Sequence, residues 1–377
     1  MQPLKIAVIR QRYTAFGGAE RFVANAMLAM QLQGAQLTIV TRQWQPQSGI
    51  DVLTINPFYL GSVWRDWGFA RAVCGELRKK SFDLVQSHER IACCDVFRAG
   101  DGVHREWLAQ RRRIQGAMGR LGVLLNPYHH YVKAAEKRLF RSPRLKAVIC
   151  ISNMVREEIR AHFGVGEAKL HVIYNGVDTH AFHPRLKQQY RASVRAEYGV
   201  PADAPLFLFV GSGFERKGVG TLLQAMADVP ESAHLIVVGK DKRLKQFVDL
   251  AARHHLAARV HFTGAREDVK PFYGAADALV FPTLYEPFGN VTLEAMACGL
   301  PVITSKKAGS AELIQNGVNG FVCDALDGPA LAGSMRLLAA PDRCAEMGRA
   351  ARATAEPLTF EAMSSRLIAL YQSLLAS

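Results

Sequence analysis

Short apolar runs rich in β-branched residues alternate with amphipathic stretches along the whole chain. The runs have the length of buried strands, and the stretches between them have the three-to-four-residue apolar spacing of helices. This alternation predicts an α/β protein in which helices cover parallel sheets. Strands are predicted at 4–9, 37–41, 83–86, 145–151, 206–210, 233–238, 259–262, 278–281 and 301–304, and helices at 19–33, 152–163 and 359–375.

A chain of 377 residues has room for two domains at roughly 150 residues each. The segment 171–184 is rich in turn-forming residues near the middle of the chain, so it is the expected interdomain connection. We predict two Rossmann-like domains, with ligands bound in the cleft beyond the carboxyl ends of their strands. The predicted segments are an N-terminal domain 1–172, a linker 173–184, a C-terminal domain 185–358 and a final helical segment 359–377.

Composition narrows the class of protein. Hydrophobic residues make up 49% and charged residues 21%, which is typical of a globular protein and excludes a disordered or fibrous one. No apolar run is long enough to span a membrane, and the N-terminal run is too short for a secretory signal. Seven cysteines without a CxxC pair favour a reduced compartment over a disulfide framework. These observations predict a cytoplasmic protein.

Positive charge is concentrated in one segment. The chain has a net charge of +14, and residues 104–146 carry eleven basic and only two acidic residues, interleaved with leucines and tyrosines. This pattern suits an anionic membrane surface or a phosphorylated glycolipid as well as a solvated helix face. No nucleic-acid-binding signature accompanies the charge, so we expect no nucleic-acid partner. The residues predicted to meet the membrane are Trp107, Arg111, Arg112 and Arg113.

Two glycine-containing loops follow predicted strands. Gly17 and Gly18 lie between the first strand and the first helix, where a phosphate or sugar can approach the backbone, although a plain turn has the same sequence. The second loop, FVGSGFERKG, begins with Gly211 after its strand and places Arg216 and Lys217 directly before a helix. A planar guanidinium can bind two phosphate oxygens, and the ammonium adds a mobile charge. The second loop therefore predicts a diphosphate site.

Two glutamates with seven residues between them flank a loop that enters a helix. Glu286 is expected on the loop, and Glu294 about one and a half turns into the helix, where its carboxylate can accept from a ribose diol. The backbone N–H groups at the helix start form a second anion site. The residues that supply them are Phe288, Gly289, Asn290 and Val291.

These motifs together resemble the retaining glycosyltransferases of family four, which have the GT-B fold of two Rossmann-like domains. The runs EPFGNVTLEAMACGLPVI, VGSGFERKG, VIYNGVD and FGGAER carry the resemblance in the family's order. It implies that Glu286 contacts the donor sugar, that Glu294 contacts the ribose, and that Arg216 and Lys217 hold the diphosphate. The other residues that it assigns are Gly17 and Gly18 on the phosphate or acceptor side and Arg266 at the nucleobase.

Within this family, the chain resembles the glucosyltransferases of the bacterial lipopolysaccharide core, and the run DVFRAGD before the basic segment carries part of this resemblance. That similarity implies that Asp101 lies at the active site and that the basic segment 104–146 engages the membrane. The resemblance also implies that the final helix packs back on the N-terminal domain. Asp101 and His88 are the candidates to orient or deprotonate the acceptor hydroxyl.

The predicted activity is retaining transfer of a hexose, expected to be glucose from UDP-glucose, onto a lipopolysaccharide core or similar glycolipid at the inner face of the cytoplasmic membrane. Asp101, Lys217 and Glu286 are the predicted catalytic residues. No Asp-x-Asp run occurs, so we predict catalysis without metal or cofactor, in which fixed cations stabilise the leaving UDP. Transfer of N-acetylglucosamine, mannose or galactose to another cell-surface glycan, and a nucleotide-sugar epimerase or sugar phosphorylase on the same fold, are the alternatives.

Overall fold

The computed structural model of the chain describes residues 4–12, 36–43 and 51–376. Residues 1–176 and 360–377 belong to one unit, which we call the N-terminal unit, and residues 177–359 form the C-terminal unit. The division at 176/177 falls inside the segment 173–184 that the sequence analysis assigned to the linker. The predicted helix 19–33 lies outside the described residues.

Parallel strands form the sheet of the N-terminal unit, and four of its seven described strands were predicted from the sequence. Its described strands run in the order β3-β2-β1-β4-β5-β6-β7. The predicted strands near 4–9, 37–41, 83–86 and 145–151 are confirmed, whereas three strands of three or four residues were missed. The strands are β1 (Lys5–Ile9), β2 (Gln36–Thr41), β3 (Asp51–Thr54), β4 (Leu84–Ser87), β5 (Val96–Arg98), β6 (Ala147–Cys150) and β7 (Leu170–Val172).

Helices cover this sheet, and the clearest sequence signals mark where they begin and end. Ser152 accepts a hydrogen bond from the N–H of Val155 at 3.2 Å, and Gly164 ends the same helix with a φ of 64°. The predicted helix 152–163 is thereby confirmed. The helices are α1 (Gly61–Leu77), α2 (His104–Arg112), α3 (Ala117–Leu125), α4 (Pro127–Phe140) and α5 (Asn153–Phe163).

The C-terminal unit contains a second parallel sheet, with its described strands in the order β10-β9-β8-β11-β12-β13. The first five along the chain are the predicted ones, and the short strand β13 was missed. Its strands are β8 (Leu206–Val210), β9 (His234–Val238), β10 (Val260–Gly264), β11 (Ala278–Phe281), β12 (Val302–Ser305) and β13 (Gly320–Cys323). Its helices are α6 (Leu186–Glu197), α7 (Val219–Ala227), α8 (Leu244–Arg253), α9 (Lys270–Ala275), α10 (Asn290–Ala297), α11 (Gly328–Leu338) and α12 (Pro341–Ala355).

The last helix, α13 (Phe360–Ala376), packs on the sheet of the N-terminal unit. Met363, Leu367 and Leu370 recur at helical spacing and join the core formed by β1, β2 and β4. The hydroxyl of Tyr371 donates to the side-chain oxygen of Gln86 on β4. Apolar burial and this hydrogen bond together attach α13 to the sheet that contains β1 and β4.

One pair of cysteines corrects the sequence analysis. Cys74 on α1 and Cys93 in the loop between β4 and β5 form a disulfide, whereas the other five cysteines are buried and unbonded. The prediction of reduced cysteines is therefore wrong for this pair. A separation of 19 residues gives no sequence sign of the bond, because only the packing of α1 beside the loop brings the two sulfur atoms together.

Candidate functional site

A tight turn after β8 positions the two adjacent cations of the C-terminal unit. Gly218 has a φ of 76°, and a Cβ at this position would lie 1.9 Å from the carbonyl oxygen of Pro282. Only glycine fits this close approach without moving the backbone. The turn places Arg216 and Lys217 immediately before α7, as the sequence predicted.

Both cations bind the first glutamate of the motif. The ammonium of Lys217 donates to Oε2 of Glu286, and Nη1 of Arg216 donates to the same oxygen at 3.1 Å. Arg216 also donates to the carbonyl oxygen of Tyr285 at 3.1 Å. The ammonium of Lys217 lies 4.6 Å from the centre of the Phe281 ring, which adds a cation–π contact. The Lys217–Glu286–Arg216 cluster is thus a compact group of two cations around one carboxylate.

Burial makes the charges in this cluster interdependent. Burial alone raises the pKa of Glu286, but Lys217 and Arg216 outweigh it and hold that pKa below its usual value. Burial lowers the pKa of the Lys217 ammonium against the attraction of Glu286. The carboxylate is therefore ionised at neutral pH, and it stabilises the charged form of a lysine that is only 8% exposed.

The start of α10 lies beside the same carboxylate. Gly289, with a φ of 96°, is the last residue before the helix, and a Cβ there would lie 3.4 Å from Cγ of Glu286. The N-terminal end of a helix carries partial positive charge from amide groups that the helix itself does not use. The residues Phe288 to Val291 thus bring a backbone dipole to the cluster.

The second glutamate is oriented by a tyrosine that the sequence analysis missed. The hydroxyl of Tyr273, from α9, donates to Oε2 of Glu294 at 2.9 Å and lies 3.3 Å from the carbonyl oxygen of Val291. Glu294 is half-buried on α10. Arg266, predicted at the nucleobase, is exposed and donates to the hydroxyl of Tyr198 at 3.0 Å.

Two buried hydroxyls of this region have no hydrogen-bond partner among the described residues. They are the side-chain oxygens of Thr292 and Ser310. A Cβ at Gly289 would lie 3.3 Å from Oγ of Ser310, so this hydroxyl flanks the start of α10. A buried polar group without a partner is costly unless a ligand or water satisfies it. Ser310 is a candidate ligand contact that no motif indicated.

In the N-terminal unit, the predicted acceptor residue His88 and two arginines lie where the strands end. Arg10 follows β1, His88 follows β4, and Arg98 ends β5. Arg98 is buried and donates to the side-chain oxygen of Asn175 at 2.6 Å. Burial and the charge of Arg10 lower its pKa to about 9. Two arginines thus lie at the carboxyl edge of this sheet, where Arg10 pairs with Glu89 at 3.9 Å.

The predicted acceptor residues of the N-terminal unit have different environments. His88 is buried, and its Nε2 lies 2.9 Å from the amide nitrogen of Gln86, which donates to the ring. Burial, then Arg98 and Arg10, lower its pKa well below the usual histidine value, so the ring is neutral. Asp101 is 60% exposed and pairs with Nη1 of Arg90 at 3.3 Å.

The basic segment folds as α2, α3 and α4, and α3 carries an unusually exposed apolar face. Met118, Leu121, Leu124 and Leu125 are 89%, 54%, 55% and 70% exposed. Of the residues predicted to meet the membrane, Arg112 and Arg113 are exposed, whereas Trp107 and Arg111 are half-buried. None of the described helices has both the length and the apolarity needed to cross a membrane.

The structure thus brings Arg216, Lys217, Glu286 and the start of α10 into one site in the C-terminal unit, with Gly211 at the end of β8. Glu294 lies on the same helix with its own partner, and Arg266 contacts a different residue. The predicted residues Gly17 and Gly18 lie outside the described residues.

Two known protein families match this chain, one in its N-terminal half and one in its C-terminal half. Residues 16–181 match the model of the glycosyltransferase family 4 domain, and residues 191–354 match the glycosyl transferases group 1 domain. The lipopolysaccharide glucosyltransferase WaaG of Escherichia coli K12 is 27% identical to this chain over 323 residues, which are 84% of each protein.

Solved structures share the fold. The crystal structure of WaaG, a glycosyltransferase involved in lipopolysaccharide biosynthesis, matches with a TM-score of 0.82 at 24% identity and covers 96% of this chain and 98% of its own. The structure of HepE from Anabaena in complex with UDP-glucose matches with a TM-score of 0.74 at 21% identity and covers 98% and 100% of the two chains.

Proposed function

Because the chain belongs to the GT-B glycosyltransferases that combine a family 4 domain with a group 1 domain, we propose that it transfers glucose from UDP-glucose to a lipopolysaccharide core or similar glycolipid, with retention of configuration. The similarity to WaaG supports the donor and the acceptor class, and the UDP-glucose complex of HepE supports the donor. The observation that carries the proposal is the Lys217–Glu286–Arg216 cluster beside the start of α10.

In this proposal the cluster binds the diphosphate and the sugar together. Arg216, Lys217 and the helix start supply positive charge to the phosphates. The ionised carboxylate of Glu286 accepts hydrogen bonds from hydroxyls of the transferred sugar. Glu294, oriented by Tyr273, accepts from the ribose. The guanidinium and the ammonium thus match the anionic phosphates of the donor, and the two carboxylates match its neutral sugar hydroxyls.

Breaking the sugar–phosphate bond leaves negative charge on the departing UDP. Cations and amides that are already in place stabilise this charge without reorganising during the reaction. We propose that Arg216, Lys217 and the start of α10 perform this role and that no metal ion is needed. Transfer that is lost with EDTA and restored by manganese would contradict this part of the proposal.

For the acceptor, we propose a site at the carboxyl edge of the N-terminal sheet. Asp101 is the candidate base, since it is exposed and bears a carboxylate. His88 is the candidate to orient the acceptor, because its ring is neutral and held by Gln86. The neighbouring Arg98 supplies positive charge suited to an anionic glycolipid.

We further propose that the enzyme attaches to the inner face of the cytoplasmic membrane through α3 and the basic segment around it. The exposed leucines of α3 suit the acyl boundary of a bilayer, and basic residues near an anionic surface contribute about 1 kcal/mol each. Attachment would hold the enzyme where a glycolipid acceptor is located.

The proposal is tested by incubating the full chain with labelled UDP-glucose and lipopolysaccharide that ends at the inner core. We expect transfer of labelled glucose with an α-linkage, assigned by NMR, and a loss of about 100-fold in Glu286→Gln. UDP-galactose, UDP-N-acetylglucosamine and GDP-mannose form parallel reactions. Efficient transfer of one of these sugars instead of glucose would refute the donor assignment. Epimerised UDP-sugar or free sugar without acceptor would refute transfer itself.

A further inference from the structure

A cavity of about 410 Å³ opens in the N-terminal unit between α1, α4 and the loop that follows β4. Among the described residues, its lining includes four arginines and no acidic residue. Arg71 and Arg78 come from α1, Arg90 from the loop and Arg138 from α4. We call this the arginine cavity. Arg90 pairs with Asp101 of the proposed acceptor site, whereas Arg71, Arg78 and Arg138 belong to neither proposed site.

The positive charge of the arginine cavity is mostly unbalanced. Arg90 pairs with Glu136 at 3.0 Å and with Asp101 at 3.3 Å. Within the part of the chain that the structure describes, no carboxylate lies within 4 Å of the guanidinium of Arg71, Arg78 or Arg138. Like charges gathered around a concave surface repel one another, and a bound anion removes that repulsion.

The disulfide holds the charged walls of the arginine cavity together. Cys74 lies among the lining residues on α1, and its partner Cys93 lies in the loop that carries Arg90. The bond therefore joins the wall bearing Arg71 and Arg78 to the wall bearing Arg90. While this disulfide is formed, the two walls are fixed before binding, so less conformational entropy is lost when the ligand arrives.

Aromatic rings complete the lining. Trp67 and Tyr131 both face the cavity, and the guanidinium of Arg71 lies 5.9 Å from the centre of the Trp67 ring. Aromatic faces pack against the C–H surface of a sugar or glycerol unit, whereas planar guanidinium groups bind phosphate oxygens in pairs. A volume of about 410 Å³ is within the range of small-molecule sites.

We propose that the arginine cavity binds a phosphomonoester, with the phosphate held by Arg71, Arg78 and Arg138 and its carbon skeleton against Trp67 and Tyr131. A phosphomonoester carries close to two negative charges at neutral pH, which suits three guanidinium groups better than a carboxylate does. Both a soluble sugar phosphate and a phosphorylated lipid headgroup present this chemistry.

Isothermal titration calorimetry of the full chain with glucose 6-phosphate and with inorganic phosphate tests the proposal. We expect glucose 6-phosphate to bind more tightly than inorganic phosphate, because its ring adds the aromatic contacts. The double variant Arg71→Gln/Arg138→Gln should weaken binding at least about tenfold. Arg366→Gln is the matched control, since Arg366 is an exposed helical arginine of the same unit outside the cavity.

Both variants should keep the melting temperature and the UDP affinity of the unmodified chain, so that a loss of phosphate binding is not a loss of folding or of the donor site. Competition by vesicles containing phosphatidic acid, but not by phosphatidylglycerol vesicles that α3 would bind equally, identifies a lipid headgroup as the source. Absence of competition by both identifies a soluble phosphate. Absence of binding by both soluble probes at millimolar concentration, or equal affinity in the double variant, would overturn the proposal.

Discussion

Replacing Lys217 by methionine tests the cluster at its most buried charge. Methionine keeps most of the side-chain volume and the packing against Phe281, so the change removes the ammonium without opening a large cavity. Of the described residues, Arg216 is then the remaining cationic partner of Glu286, at 3.1 Å and with 39% of its side chain exposed. The remaining pair is therefore more screened by solvent than the pair that is lost.

Removing one partner of a buried ion pair costs about 3–5 kcal/mol. Because Arg216 remains beside Glu286, the expected loss of unfolding free energy is at the lower end, about 3 kcal/mol. The change in kcat should be about 10²–10³-fold, the loss that follows removal of one fixed donor to a developing anion. Both effects arise from one ammonium, but the first is measured without donor and the second with it.

The pH dependence gives an independent signature. In the unmodified protein the pKa of Glu286 is held below its usual value, so its stabilising contribution is present above the unfolded pKa and is lost as pH falls through the folded pKa. In Lys217→Met, burial should raise the pKa of Glu286, and stability should then fall as pH rises above about 4, the usual glutamate range. The difference in unfolding free energy between the unmodified protein and Lys217→Met is expected to widen from pH 4 to pH 7.

Urea unfolding from pH 4 to pH 7 measures this difference, and initial-rate transfer assays measure kcat. Lys245→Met, at an exposed position on α8, is the matched control and should change neither. The double variant Lys217→Met/Glu286→Gln should lose less stability than the sum of the single variants, because neither partner is left unpaired. A difference that stays flat with pH, together with a kcat within about threefold of the unmodified enzyme, would refute the reasoning.

Three further changes test other parts of the structure. Tyr273→Phe should raise KM for the nucleotide sugar about fivefold in initial-rate assays while kcat changes little, since the hydroxyl orients the carboxylate of Glu294, the proposed ribose contact; an unchanged KM would exclude that role. Gly218→Ala should lower the melting temperature sharply, because its Cβ would overlap a carbonyl oxygen, whereas Gly220→Ala on α7 has no atom in the way and should not; equal melting temperatures would contradict the turn geometry. Leu121→Ser/Leu125→Ser should reduce co-sedimentation with anionic vesicles and leave transfer to a soluble acceptor intact; undiminished vesicle binding would argue against α3 as the contact.

The sequence predicts those parts of the fold in which the signal is local. The predicted strands are continuous apolar runs because helices cover both faces of the sheets. The helix 153–163 is indicated by the serine that caps its start and the glycine that follows its end. Strands β5 and β7 have three residues each, too few for a period to be recognised, and the four residues of β3 are mostly exposed and form no buried apolar run. The disulfide depends on packing between α1 and a later loop, which no local pattern reports.

The candidate site divides in the same way. Arg216, Lys217, Glu286 and Glu294 were identified because each lies in a motif whose residue types match a ligand group. Their pairing was not predicted, since the sequence analysis assigned the cations to phosphates and Glu286 to the sugar. Tyr273 and Ser310 were missed because each comes from a segment that carries no motif of its own.

Strand order supplies the physical reason that these distant residues meet. β11 lies between β8 and β12 in the C-terminal sheet, and all three are parallel. Loops that follow neighbouring parallel strands emerge at the same edge, so Lys217 after β8, Glu286 after β11 and Ser310 after β12 converge there. The N-terminal sheet repeats this arrangement, because β4 lies between β1 and β5. Arg10 follows β1, His88 follows β4, and Arg98 is the last residue of β5. Motifs thus specify which groups each site contains, and the pairing of strands determines which of those groups act together.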